Sequence, residues 1–161
     1  MSAATENPAV GAKITSKDIP LNDTTLDDIT WDEAQQMLRR SEDRFQRGDI
    51  EGLLSRYDDN IIIRFADLPE IQGKAAAERF FRKRFAKQKD YTLKKVLFLV
   101  AGQKIANTWT GAWTDVPSGK KMQGRGVELL EFRSGKVIRW EASFNVWEVG
   151  NEAASRYFDP A

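Results

Sequence analysis

Residues 122–149, MQGRGVELLEFRSGKVIRWEASFNVWEV, decide the fold of this chain. They read as two long strands joined by a tight turn at Ser134-Gly135. A small residue followed by Gly between β-rich runs is a hairpin signal. With Ser134 and Gly135 as the loop, Arg133 pairs with Lys136, and counting outward sets Glu128 directly opposite Glu141. Side chains alternate along a strand, so Gly126, Glu128 and Leu130 then share a face with Arg139, Glu141, Ser143 and Asn145.

Two like charges facing each other weaken a sheet. On a concave face one carboxylate would keep its proton, and Arg139, one step diagonal from Glu128, would hold the other as an anion. That arrangement is an acid/base pair with a cationic partner. The competing reading is a solvated Glu/Arg/Glu ladder on an open sheet face. The register carries the choice, and one β-bulge would move the pairing by a residue.

Composition excludes much else. The chain has 161 residues, enough for one domain with a real core. Its 25 basic and 24 acidic residues leave a net charge of +1, with no field that favours nucleic acid or an anionic membrane. There is no Cys and no His, so thiol nucleophiles, serine–histidine triads and most zinc or non-haem iron sites are out of reach. Acid/base chemistry falls to Asp, Glu, Lys or Tyr, with neither metal nor cofactor expected. Five Trp and nine Phe supply a core or an apolar pocket. No apolar run reaches membrane-spanning length, and the first twenty residues lack a basic start followed by an apolar block. The expected compartment is cytoplasmic.

Outward from the hairpin, the chain organises as an extension (1–29), a domain (30–149) and a tail (150–161). Thr30-Trp31-Asp32-Glu33 is a capping box that opens a helix, with Trp31, Ala34, Leu38, Ser41 and Phe45 as its buried stripe and Gly48 as its stop. Asp49 caps a short helix from Ile50 to Tyr57, Asp58-Asp59-Asn60 turns, and Ile61–Phe65 is a strand. Lys74 to Lys87 is a helix with Ala77, Phe80, Phe81 and Phe85 inward and a solvated basic face. Tyr91–Val100 and Gln103–Thr114 are strands around a turn at Ala101-Gly102. The plan is α+β, with helices covering one face of a curved antiparallel sheet.

Counting across the other turns gives two faces. One carries Asn107, Trp109, Gly111, Trp113, Gly124, Gly126, Glu128, Arg139, Glu141 and Asn145, and reads as a pocket lining in which the glycines leave space or mark bends. The other carries Tyr91, Leu93, Leu97, Leu99, Val127, Leu129, Trp140 and Phe144. It is too apolar for water and lies either under the helices or in a subunit interface.

The element order resembles the nuclear transport factor 2-like, or ketosteroid isomerase-like, superfamily of curved α+β cones. Within it the chain is similar to the SnoaL-like proteins, and most of all to a branch known only as a domain of unknown function. The matching pieces run across residues 31–149: Asp90-Tyr91-x-Leu93-x-Lys95-x-Leu97, Ile105-Ala106, Trp113-x-Asp115, Gly126-x-Glu128-x-x-Glu131-Phe132 and Arg139-x-Glu141-Ala142-Ser143-x-Asn145. The resemblance implies that Glu128, Glu141 and Asn145 lie inside the cone over the first helix. It also implies that the outer sheet face pairs two subunits, with Trp140 and Phe144 as anchors. The chain departs from the branch in its first strand, where Ile61, Ile62 and Ile63 leave Arg64 as the one cation. The Tyr and paired Asp of steroid isomerases are missing at matching positions, so isomerase activity does not carry over.

Two functions stand. The first is a cofactor-free isomerase, cyclase or hydrolase for a small apolar molecule. Glu128 and Glu141 are acid and base, Arg139 and Asn145 steady an oxyanion, Trp109, Trp113 and Tyr57 form walls, and Asn107 and Arg64 are further contacts. The second is a non-catalytic homodimer that binds a ligand or a protein through the same cone.

Overall fold

A computed structural model describes residues 28–151. The expected extension and tail lie outside the described residues, apart from positions 28, 29, 150 and 151. Helix α1 (Trp31–Arg47) starts as the capping box requires: the Glu33 amide donates to Thr30 Oγ1 at 3.3 Å, and the Thr30 amide donates to the Glu33 carboxylate at 2.9 Å. Gly48, at φ 64°, ends it. Ala34, Leu38 and Phe45 are buried, whereas Trp31, at the first helical position, stays 48% exposed. Helix α2 (Ile50–Leu54) is shorter than its apolar pattern suggested, because Tyr57 already begins β1 (Tyr57–Phe65). Asp58-Asp59-Asn60 are therefore strand and not turn. Strand β2 (Ile71–Gln72), helix α3 (Lys74–Phe85) and strands β3 (Gln88–Ala101), β4 (Lys104–Asp115), β5 (Lys121–Arg133) and β6 (Lys136–Glu148) follow.

The six strands form one curved, unclosed sheet in the order β2-β1-β6-β5-β4-β3. It is mixed: β1 runs parallel to β6, and the other pairs are antiparallel. Strand β3 is the edge beside α1, and α1 covers it with side chains. Gln46 Oε1 accepts the Leu93 amide at 3.1 Å, and the Glu42 carboxylate accepts the Lys95 amide. These bonds satisfy groups that an open edge would leave exposed.

The hairpin turn forms as counted. Ser134 (φ 48°) and Gly135 (φ 72°) both take positive φ, as a type I′ turn demands, and Arg133 pairs with Lys136. Three residues later the count fails. Phe132 pairs with Val137 but Glu131 with Arg139, leaving Ile138 as an extra residue in β6. Beyond this bulge Glu128 faces Ala142, and Glu141 faces Leu129. The expected Glu128–Glu141 pairing is thus corrected. A second bulge, at Phe98, separates Leu99↔Ala106 from Leu97↔Asn107 in β3. Each inserted residue flips the parity of its strand, so β3 and β6 change face relative to β4 and β5.

The inner face therefore combines Tyr91, Leu93 and Lys95 with Asn107, Trp109, Glu128, Phe132, Trp140 and Ala142. Trp140, expected as an outer-face anchor, is 2% exposed and stacks on Phe81 of α3 at 6.0 Å. Phe144 also points inward, against Phe65 at 4.6 Å. The glycine gaps are filled: a Cβ on Gly124 would sit 3.2 Å from the Trp109 ring, and one on Gly126 only 2.3 Å from the Ser143 carbonyl. Among the described residues no helix is long and apolar enough to cross a membrane.

Candidate functional site

Among the described residues the inner face carries one buried ion pair. Lys95 Nζ lies 2.7 Å from Glu128 Oε2, and the two side chains are 2% and 6% exposed. Alternation along β3 and β5 aims both residues inward, on strands separated by β4. Between them Asn107 of β4 donates from Nδ2 to the same Glu128 oxygen at 3.2 Å. That contact orients the amide, since the flipped form would press Oδ1 against a carboxylate oxygen. Oδ1 is then left buried without a partner. The Lys95 ammonium also donates to Ser41 Oγ of α1 at 3.2 Å and sits 5.2 Å from the centre of the Phe45 ring.

Above this pair, between α1 and the sheet, is a cavity of about 60 Å³. Leu38, Phe45, Leu53 and Phe132 supply apolar wall. Lys95, Ser41, Tyr57 and Trp140 supply its polar groups, and Arg40, Arg44 and Arg56 border it as well. Glu128 and Asn107 lie behind Lys95 and do not reach the wall. Burial raises the Tyr57 phenol far above its ordinary range, and the Glu128 charge adds to the rise, so the hydroxyl stays protonated. Chemically the wall offers hydrogen-bond donors on an apolar lining. Deeper in the cone, Arg84 sits 5.1 Å from the Phe65 ring, 5.2 Å from Phe45 and 5.5 Å from Tyr91, and donates to the Tyr91 hydroxyl at 3.0 Å. Among the described residues no cluster of three or more His, Cys, Asp or Glu is placed to hold a metal ion.

A SnoaL-like domain profile matches residues 38–140, more than half of the chain. The chain belongs to the SnoaL-like family. No curated protein matches it in sequence. Solved structures share the cone at low identity. An epoxide hydrolase of the LEH-like type from Mycobacterium tuberculosis superposes with a TM-score of 0.59 at 16% identity, covering 71% of this chain and 84% of that one. SalBIII, an epoxide hydrolase/cyclase-like enzyme with a role in pyran ring formation in the polyether salinomycin, gives 0.63 at 15%, covering 72% and 97%. An NTF2-like protein of unknown function from Burkholderia pseudomallei gives 0.62 at 21%, covering 70% and 90%. These likenesses establish the nuclear transport factor 2-like fold.

Within the SnoaL-like cone the residues expected to form one site are divided. Tyr57 borders the cavity, and Glu128 and Asn107 stand just behind its wall. Trp109 is inward but packs on Phe144 at 5.6 Å, and Trp113 packs on Tyr91 at 5.8 Å, both away from the cavity. Glu141, Arg139, Arg64 and Asn145 fall on the outer face. There Arg64 bonds Glu70 at 3.0 Å and approaches Glu141 at 3.8 Å, while Arg139 approaches Glu131 at 3.7 Å. Asn145 is exposed and pairs with Arg125. The expected Glu128–Glu141–Arg139 set does not assemble, because the Ile138 bulge turns two of its members outward.

Lys95, Ser41 and Trp140 were missed as site residues. A signal for the first two was present. Lys95 is the lone cation in phase with Tyr91, Leu93 and Leu97, and Ser41 is the lone polar residue in the apolar stripe of α1. The fold brings these two exceptions into contact.

Proposed function

We propose that this SnoaL-like protein takes a small, largely apolar molecule into the cavity under α1, where Lys95 donates to an oxygen of that molecule. The observation that carries the reading is the 2.7 Å pair with Glu128, buried behind the wall while Lys95 itself borders the cavity. Desolvating two charges is costly, and a hydrophobic pair of the same volume would hold a core at least as well. An ammonium fixed in an apolar site instead favours the negative charge that develops on a carbonyl or epoxide oxygen. Glu128, in direct contact with that ammonium, is placed to exchange a proton with it. Isomerisation, cyclisation and epoxide hydrolysis all pass through such a charge. Two of the fold neighbours are named for chemistry of this kind.

Turnover of small carbonyl and epoxide compounds tests the reading in wild type, Glu128→Gln and the double variant Lys95→Met/Glu128→Leu. We expect at least one substrate in the wild type and a loss of about a hundredfold or more in the double variant. Undiminished turnover without the ion pair ends it.

A second reading is a non-catalytic homodimer. It draws on the outer face, where Val96, Phe98 and Leu99 of β3 and Val127 and Leu129 of β5 lie exposed on either side of β4, Phe98 at 76%. A second copy of this chain is the proposed occupant. Phe98→Lys should then turn a dimer into a monomer in sedimentation equilibrium. A wild-type monomer at high micromolar concentration removes this surface as an interface.

A further inference from the structure

We infer that the cavity's ligand is an anion, a small carboxylate with an apolar body, whose oxygens are received by Lys95 and Trp140 and whose charge is drawn in by Arg40, Arg44 and Arg56. This rests on the cavity being a binding pocket, as proposed above, and goes further by naming the chemistry it takes.

The wall is one-sided. Among the described residues four cationic side chains border the cavity, and no Asp, Glu, Asn or Gln does. Composition does not explain this, since the whole chain has 25 basic and 24 acidic residues. Among the described residues Lys95 alone of the four has a carboxylate partner, so the pair with Glu128 is neutral and the three arginines remain uncompensated. Arg56 donates to the Gly135 carbonyl at 3.1 Å, and Arg40 and Arg44 form no ion pair among the described residues. Three guanidinium groups gathered at the mouth without a carboxylate among the described residues favour a negative ligand over a neutral one.

An independent observation points the same way. Trp140 borders the cavity, is 2% exposed, and has a buried Nε1–H without an acceptor among the described residues. Buried donors are almost always satisfied in native structures. A ligand oxygen would satisfy this one. The Lys95 ammonium spends two hydrogens on Glu128 and Ser41, which leaves its third for the same ligand. The Tyr57 and Ser41 hydroxyls, also on the wall, are further donors. Leu38, Phe45, Leu53, Leu130 and Phe132 suit hydrocarbon, and so set a carboxylic acid above an inorganic anion. The volume of about 60 Å³ holds the head group and a few carbons, so a larger body would have to displace Met37 at the edge.

The experiment is calorimetric titration and thermal unfolding at fixed ionic strength with butyrate, benzoate, their amides, toluene and inorganic phosphate. Butyrate or benzoate should bind at least tenfold more tightly than its amide and than phosphate. Arg40→Gln/Arg44→Gln should cut the preference for acid over amide several-fold. Trp140→Phe removes this N–H together with three ring atoms of a buried side chain. It should lower the unfolding midpoint of the free protein modestly, for the volume lost, and should weaken benzoate about tenfold while leaving toluene no weaker. Should Trp140→Phe not fold, the arginine variant decides alone. Amides or toluene binding as tightly as the acids would overturn the anion and leave the pocket standing. Phosphate binding as tightly would overturn the apolar body. No binding of any of these by the wild type would take away the pocket, and this inference with it.

Discussion

Strands β5 and β6 carry two ion-pair systems back to back. Inside the cone Glu128 meets Lys95 at 2.7 Å, with both side chains out of water. Outside it, Glu131 meets Arg139 at 3.7 Å and Glu141 meets Arg64 at 3.8 Å, with all four side chains at least 36% exposed. The residue types are alike, and the sequence shows nothing that ranks one glutamate above another. Environment separates them. A solvated pair gains little and is screened by salt. A buried pair makes each partner indispensable to the other, because losing one leaves an unpaired charge in low dielectric.

The largest effect should come from breaking the inner pair on one side. Lys95→Met should cost about 3–5 kcal/mol in urea unfolding, since it strands the Glu128 carboxylate. If the loss falls below about 1 kcal/mol, the carboxylate is reaching water or another cation, and the contrast between the faces collapses. Lys95→Met/Glu128→Leu should restore most of the stability while abolishing ligand binding. That result would separate the cost of an orphan charge from the worth of the pair. The outer partners should barely register: Glu141→Gln and Arg139→Met should each stay within about 0.5 kcal/mol. The smallest effect is a pH dependence. Glu70 bonds Gln72 and Arg64, and those bonds lower its carboxyl below the ordinary value of 4.5. A depressed folded value means that its contribution is full above 4.5 and fades as pH falls through the lower folded value. The stability difference between wild type and Glu70→Gln should be constant above pH 4.5 and should shrink only as pH falls through that range.

How much of this was legible along the chain depends on the range of the interactions involved. The capping box at Thr30, the Gly48 stop and the Ser134-Gly135 turn are all set by neighbours a few residues apart, and they stand where local chemistry places them. The site was harder. Ile138 and Phe98 look like ordinary strand residues, yet each is the unpaired member of a bulge. Each shifts the side chains beyond it to the opposite face. Glu141, Arg139 and Asn145 went outward for that reason, and Trp140 went into the core. Lys95 could have been suspected as a polar break in an apolar alternation, but its partner lies two strands away, and nothing local names Glu128.

By itself the sequence determined the α+β plan, the order of its elements, the hairpin and the absence of thiol and imidazole chemistry, because propensity, capping and composition act over a few residues or over none. Only the tertiary structure decided which glutamate is buried, which tryptophan borders the cavity and where the arginines gather. A sheet that must curve around helices places its bulges to relieve strain that arises across strands, and a single inserted residue inverts everything after it.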